Sequence, residues 1–292
     1  MRTLALLFVT LMTLIGSNDA VAQKRPPMLN GVVSHKNLAY VKDGHERHRL
    51  DLYLPGKAKG TLPVIVWVHG GGWRNGDKNR CPALRFVHQG YAVASINYRL
   101  SQHAVFPAQI EDCKAAIRWL RAHAKKYNLD GEHIGVWGSS AGGHLVALLG
   151  TSGDVKDLEG KHGNSEQSSR VQAVVDFFGP TDFTKMGGWH NDPKSPESML
   201  LGGPVQKNKD KAARANPITY VSKDDPPFLI LHGTKDNLVP VRQSEMLQQA
   251  LSKAGVEVTF VPIQGAGHGG RAFTSPQNAK RIQDFFDRHL KR

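Results

Sequence analysis

Gly138-Ser139-Ser140-Ala141-Gly142 lies between a short apolar run at residues 133–137 and a helix-forming stretch that continues past Ala147. In a strand-turn-helix setting, a G-x-S-x-G pentapeptide holds its middle residue on a sharp turn clear of the sheet, with glycines where a side chain would block the reversal. Ser140 is therefore the expected nucleophile and Ser139 a spacer. A neutral serine is a weak nucleophile, so it needs a base to take its proton and a carboxylate to fix that base's tautomer. Of the 14 histidines, His268 in Gly265-Ala266-Gly267-His268-Gly269-Gly270 stands in a loop of small residues directly after the last strand-like run. Asp236 follows the apolar run at residues 228–231 and is the expected acid. Asp182, in Gly179-Pro180-Thr181-Asp182-Phe183, is its rival, because a short loop there could also reach the histidine. His69-Gly70-Gly71-Gly72-Trp73 follows another apolar run, residues 64–68, and its glycines let backbone amides face inward. Gly71, Gly72 and Ala141 are the expected donors to the negative oxygen of a tetrahedral intermediate. His69 itself reads as a hydrogen-bonding brace for that loop.

These residues need a scaffold that brings successive strand ends together. From Leu50 onward, short β-branched or aromatic runs at residues 64–68, 91–96, 133–137, 171–178, 228–231 and 256–261 alternate with helix-period stretches. That alternation predicts an α/β fold, a mostly parallel sheet with helices on both faces. Ile110, Cys113, Ile117 and Leu120 share one helix face, Leu247, Ala250, Leu251 and Ala254 another, and Ile282, Phe285, Phe286 and Leu290 a third. Upstream, residues 38–41 and 48–54 alternate around Asp43-Gly44, which predicts an antiparallel hairpin leading into the sheet. Two long polar stretches interrupt the alternation, residues 152–170 and residues 182–221. The second is expected to be a small cap over the reaction centre, since long connections in compact domains are commonly lids or binding loops. Trp73, Phe178, Phe183 and Trp189 are rings available to crowd a pocket there, or to pack the loops onto the sheet.

With 292 residues, 40% hydrophobic and 22% charged, the chain can bury a sizeable core. Residues 1–22 read as a signal peptide, with Arg2, an apolar run at residues 4–15 and the small-residue site Ala20-Val21-Ala22. That pattern implies a secreted or periplasmic protein cleaved after Ala22, followed by a linker over residues 23–34 and one domain over 35–292. The run is broken by Gly16, Ser17, Asn18 and Asp19 before it could span a bilayer, so no stable membrane anchor is expected. The net charge of +13 is spread along the chain without interleaved aromatics, which argues against nucleic acid as a partner. Cys81 and Cys113 lack zinc-ribbon spacing, no H-E-x-x-H is present, and no metal is expected. Both cysteines are expected to be buried, unpaired thiols on opposite faces of the sheet. The glycine run at 265–270 lacks the βαβ unit and acidic residue of a dinucleotide site. His162 and His190 read as solvated surface residues.

The elbow, the His-Gly-Gly-Gly-Trp loop, the Asp236 segment and His268, in the order Ser140, Asp236, His268, resemble the secreted esterases of the α/β-hydrolase superfamily. The chain is most similar to the group of bifunctional deacetylase and feruloyl esterase-like domains, related to the hormone-sensitive lipase and carboxylesterase branches. Phe106-Pro107-Ala108-Gln109-Ile110-Glu111-Asp112 and Asp224-Asp225-Pro226-Pro227 share in that likeness. The resemblance, running from about residue 35 onward, implies an α/β-hydrolase fold and cleavage of carboxylic esters, often acetyl groups on carbohydrates or small aromatic esters, with no cofactor. A peptidase of the prolyl oligopeptidase type uses the same elbow and chain order, but usually carries a propeller domain for which no segment here has room. A non-catalytic module holding an acidic glycan on the same fold is a third reading. Oligomeric state is not legible.

Overall fold

The computed structural model describes residues 30–58 and 60–291, so the signal-peptide reading of residues 1–22 lies outside the described residues. Strands β1 (Val32–Ala39) and β2 (Arg49–Pro55) pair antiparallel, forming the expected hairpin. Residues 32–34, expected to be linker, are thus already strand, because Val32 pairs with Pro55 and Val33 with Leu54. The remaining strands are β3 (Leu62–Val68), β4 (Ala92–Ile96), β5 (Leu129–Ser139), β6 (Ala173–Phe177), β7 (Phe228–Gly233) and β8 (Val258–Ile263). They form one sheet in the order β1-β2-β4-β3-β5-β6-β7-β8, antiparallel from β1 through β2 to β4 and parallel from there on. β5 starts earlier than its apolar run because Leu129 pairs with Leu62 across a register irregularity, which the polar segment Asp130-Gly131-Glu132 disguises. β8 begins at Val258 rather than Val256, since Val256 is still held by the carbonyl of Leu251 at the end of the preceding helix.

Period-2 alternation divides the core between the two sheet faces. On β3, Val64, Val66 and Val68 enter one cluster while Ile65 and Trp67 enter the other. Helix α1 (Ala108–Ala122) is followed by the single turn α2 (Ala124–Tyr127), then by α3 (Ala141–Thr151) behind the elbow. The first cluster takes Ile110, Ile117 and Leu120 of α1 and Leu145 and Leu148 of α3. The second takes Phe86 with Ile282, Phe286 and Leu290 of the C-terminal helix (Pro276–Leu290). Cys113 belongs to the first cluster and Cys81 to the second, so the sheet separates them; both are free and buried as expected. Burial pushes the Cys81 thiol up to about 12, which leaves little nucleophilic thiolate.

The two polar stretches differ in kind. Residues 152–170 are pinned to α1: Lys114 Nζ donates to the Ser152 carbonyl at 2.5 Å, and Arg118 Nη1 donates to Glu159 Oε2 at 2.9 Å. Residues 182–221 form a helical excursion with its own buried side chains, among them Phe183, Leu200, Leu201 and Val205. It contains α4 (Pro196–Leu201), whose N-cap Ser195 accepts from the Ser198 amide at 3.1 Å, and α5 (Lys209–Ala215). Proline at the first helical position suits that start, because no amide hydrogen is wasted there. Beyond it, α6 (Arg242–Lys253) and α7 (Pro276–Leu290) complete the helices. Among the described residues, no helix is long and apolar enough to cross a membrane.

Candidate active site

Ser140 stands between β5 and α3 with φ 55° and ψ −120°, a strained conformation for a residue with a side chain. The surroundings impose it: the Ser140 amide donates to the Phe177 carbonyl at 2.8 Å, and the His144 amide donates to the Ser140 carbonyl at 2.9 Å. Gly142 is required by close approach, since a Cβ there would lie 2.1 Å from the Val68 carbonyl oxygen. The turn thus lifts Ser140 Oγ to the carboxyl edge of the parallel strands, where open α/β sheets bind ligands.

Three loops from different strand ends meet there. The Ser140 hydroxyl bonds His268 Nε2 at 2.9 Å, and His268 Nδ1 bonds Asp236 Oδ2 at 2.6 Å. With Nδ1–H donated to the carboxylate, the lone pair of the ring faces Ser140, the tautomer a base requires. Asp236 Oδ1 is held in turn by the amides of Leu238 and Val239 at 2.8 and 2.9 Å. Burial alone would raise this carboxyl, but hydrogen bonds from His232, His268 and the Val239 amide outweigh it and hold it well below the usual carboxylate range. Phe178 braces the relay, its ring 4.4 Å from that of His268.

His232 is a contact that sequence reasoning passed over. It is fully buried, its Nδ1 bonded to Ser244 Oγ at 2.7 Å, and its Nε2 lies 2.9 Å from the Val239 carbonyl and 3.2 Å from Asp236 Oδ2. The one signal for it was its position four residues before Asp236. Asp182, the rival acid, has no bond to His268. Its Oδ1 accepts from the Thr184 amide at 3.0 Å and from Asn216 Nδ2 at 3.1 Å, and its Oδ2 pairs with Lys185 at 3.2 Å, so it caps the first turn of the cap.

Gly71 and Gly72 have φ of 109° and 59°. A Cβ on Gly71 would lie 2.4 Å from the Asn75 carbonyl oxygen, so only glycine closes this loop. Among the described residues, no backbone acceptor takes the amides of Gly71, Gly72 or Ala141, and all three residues line the same cavity as Ser140. His69 braces the loop from behind, as expected: Nδ1 donates to the Gly70 carbonyl at 2.8 Å, Nε2 accepts from Arg47 at 3.2 Å, and the ring stacks on Tyr98. Burial lowers it to about 4, which keeps it neutral.

The cavity measures about 410 Å³ and is lined by Trp73, Phe178, Trp189, His190, Glu197 and Leu238 among others. Phe183, expected on this wall, is absent from it. It is fully buried behind Trp73 and His144, at ring separations of 5.4 and 5.0 Å, because the cap folds that side chain inward onto the core. His190, expected on the solvated surface, is buried in the cavity wall and bonded to Glu197 at 3.0 Å; His162 is half-buried. Among the described residues, His45, Glu46 and His103 have the spacing for a metal ion, away from this cavity. Each ring accepts a backbone amide on Nδ1, from Arg47 and from Leu100, both at 3.1 Å. The remaining nitrogen then carries the proton and has no lone pair for a cation, the reverse of the usual metal-histidine arrangement.

Beneath the elbow, Asp176 is wholly buried, with Oδ1 accepting from the Gly179 amide at 2.9 Å and Oδ2 without a partner. Burial pushes this carboxyl up to about 6. A carboxyl raised in the folded state favours folding less as the unfolded chain ionises, so stability falls as pH rises from the ordinary carboxylate range through about 6. Asp176→Asn is expected to remove that dependence, gaining about 2 kcal/mol on wild type between pH 4 and pH 8. Urea unfolding at both pH values reads it; parallel pH profiles for the two proteins would rule it out.

A family model described as BD-FAE matches residues 50–251. Over 218 residues the chain is 35% identical to LipM, a probable carboxylic ester hydrolase of Mycobacterium tuberculosis, covering 71% of this chain and 49% of that protein. The chain thus spans about half the length of that curated relative. A truncated form of a carbohydrate esterase from gut microbiota is 38% identical with a TM-score of 0.82, over 89% of this chain and 97% of that one. A bifunctional GH43-CE protein of Bacteroides eggerthii is 40% identical with a TM-score of 0.82, over 87% of this chain and 35% of that one. The strand order, the elbow after β5 and the extent of these matches lead to one assignment: the chain has an α/β-hydrolase fold and belongs to the BD-FAE family.

Proposed function

We propose that this protein is a serine carboxylic-ester hydrolase acting through an acyl-enzyme on short-chain or carbohydrate-linked acyl esters. The observation that carries this reading is the unbroken relay from Ser140 Oγ through His268 to Asp236, 2.9 and 2.6 Å, on a cavity wall that also presents free amides. Relatives named as ester hydrolases support it. His268 Nε2 takes the hydroxyl proton as Ser140 Oγ attacks the ester carbonyl, and Asp236 stabilises the imidazolium formed. The carbonyl oxygen, now negative, receives the amides of Gly71, Gly72 and Ala141. His268 then returns the proton to the leaving alkoxide, which departs as the alcohol. Water, deprotonated by the same nitrogen, attacks the acyl-enzyme; the acid leaves and Ser140 regains its proton. Each proton and charge in this cycle is handled by a group of the chain itself. The proposal includes export of the chain, supported by the pattern of residues 1–22, for which N-terminal sequencing of the exported protein is the direct reading.

Trp73 bears on acyl length. Its ring lines the cavity next to the oxyanion loop, and His144 and Phe183 pack edge-on against it at 5.1 and 5.4 Å, so it cannot swing aside. Each methylene beyond a short acyl group should then fail to gain its usual burial energy of about 0.8 kcal/mol. A fluorophosphonate is expected to modify Ser140, and kcat/KM on p-nitrophenyl acetate should exceed that on the octanoate by about tenfold or more. Absence of the adduct would remove the mechanism. A preference for octanoate, measured below its micelle concentration, would remove the short-acyl part.

A further inference from the structure

His190 and Glu197 line the same cavity as Ser140 and have no part in the chemistry described above. They are 4% and 3% exposed, and His190 Nδ1 bonds Glu197 Oε1 at 3.0 Å. Glu197 Oε2 is buried without a partner, and no lysine or arginine pairs with this carboxylate among the described residues. A buried carboxylate so poorly compensated is a costly way to staple a turn to a helix; an apolar pair would hold the same segments. What the pair does achieve is to fix the histidine. With Nδ1–H donated to Glu197, the lone pair sits on Nε2, which meets no protein partner among the described residues although the ring lines the cavity.

A cavity-facing acceptor selects for a ligand that donates a hydrogen bond. An alkyl chain and an ester carbonyl cannot; a hydroxyl can. Beside it the Trp189 ring packs on His190 at 4.0 Å yet remains 49% exposed, and Leu238, 51% exposed, lines the same cavity. A broad aromatic surface next to a buried hydrogen-bond acceptor matches a pyranose ring, which has apolar C–H faces and a rim of hydroxyls. A cavity of about 410 Å³ also leaves room well beyond an acetyl group.

We propose that Trp189, His190 and Glu197 form a saccharide subsite for the alcohol portion of the ester, with the sugar ring on Trp189 and one of its hydroxyls donating to His190 Nε2. This rests on the esterase reading and specifies its substrate. The test compares wild type, His190→Asn and Trp189→Ala on an acetylated xylo-oligosaccharide and on p-nitrophenyl acetate. Asparagine can keep the donor to Glu197 while removing the cavity-facing nitrogen. The ratio of kcat/KM on the saccharide to that on p-nitrophenyl acetate is expected to fall by about tenfold or more in both variants, chiefly through KM. In a Ser140→Ala background, calorimetric binding of the unacetylated xylo-oligosaccharide should weaken in parallel. Equal losses on the two esters, no loss on either, or a wild-type preference for methyl ferulate with Trp189 serving the acyl ring would overturn the subsite and leave the esterase reading standing. Hydrolysis of none of these esters by wild type would overturn the esterase reading itself.

Discussion

Ser140→Ala is expected to lower kcat for ester hydrolysis by about 10⁵-fold, with the fold intact. The alanine keeps the backbone of the elbow, whose strained φ is imposed by the amide bond to Phe177 and by the packing of Gly142 on β3 rather than by the hydroxyl. What is lost is the atom that bonds His268 Nε2, and with it the covalent step. Ser139→Ala is the control. Ser139 ends β5, pairs in register with Phe177, and has no bond to the histidine. Stopped-flow kinetics on p-nitrophenyl acetate, with circular dichroism to check the fold, separates the two. An inactive Ser139 variant beside an active Ser140 variant would show the elbow to be misassigned.

Asp236→Asn is expected to cut kcat by about 10³- to 10⁴-fold, and the hydrogen-bond inventory explains the size. The carboxylate accepts on both oxygens: Oδ1 from the amides of Leu238 and Val239, Oδ2 from His268 and, at 3.2 Å, from His232 Nε2. An asparagine has one acceptor oxygen. If that oxygen serves His268, its NH₂ faces two amide donors; if it serves the amides, the NH₂ points at His268 Nδ1. The second arrangement leaves one clash, with the His232 Nε2 hydrogen, against two in the first, and it forces the His268 proton onto Nε2, where the ring can no longer accept from Ser140. Asp182→Asn should stay within about tenfold of wild type, because that carboxylate caps a turn and touches Lys185 and Asn216 rather than the relay. The reverse pair of results would move the acid to the loop after β6.

The parts of this site readable in advance are those whose geometry is set within a few residues of the chain. A glycine-flanked serine between a strand and a helix can form only a tight elbow, and glycines after a strand can present amides inward; both conditions are local. Ser140, Gly71, Gly72 and His268 were legible for that reason, as was the hairpin around Asp43-Gly44. The alternation of apolar runs and helical faces likewise settled the fold class, since each element's buried face is written in its own period.

Other features depend on segments that meet only after folding. His190 reads as solvated because no metal-ligand or paired-carboxylate spacing surrounds it in the sequence; its burial comes from the start of α4, which brings Glu197 against it. Phe183 and Trp189 are equally plausible pocket walls in the sequence, yet the inward turn of the cap seals one behind Trp73 and leaves the other 49% exposed. His232 is one more strand residue until the loop after β7 folds back and sets Asp236 beside it. The length of β5 and the start of β8 follow from pairing with neighbouring strands, which no single strand specifies. Local backbone chemistry is encoded residue by residue, whereas burial, partner choice and register are properties of pairs of distant segments, and these only the packed sheet and its cap decide.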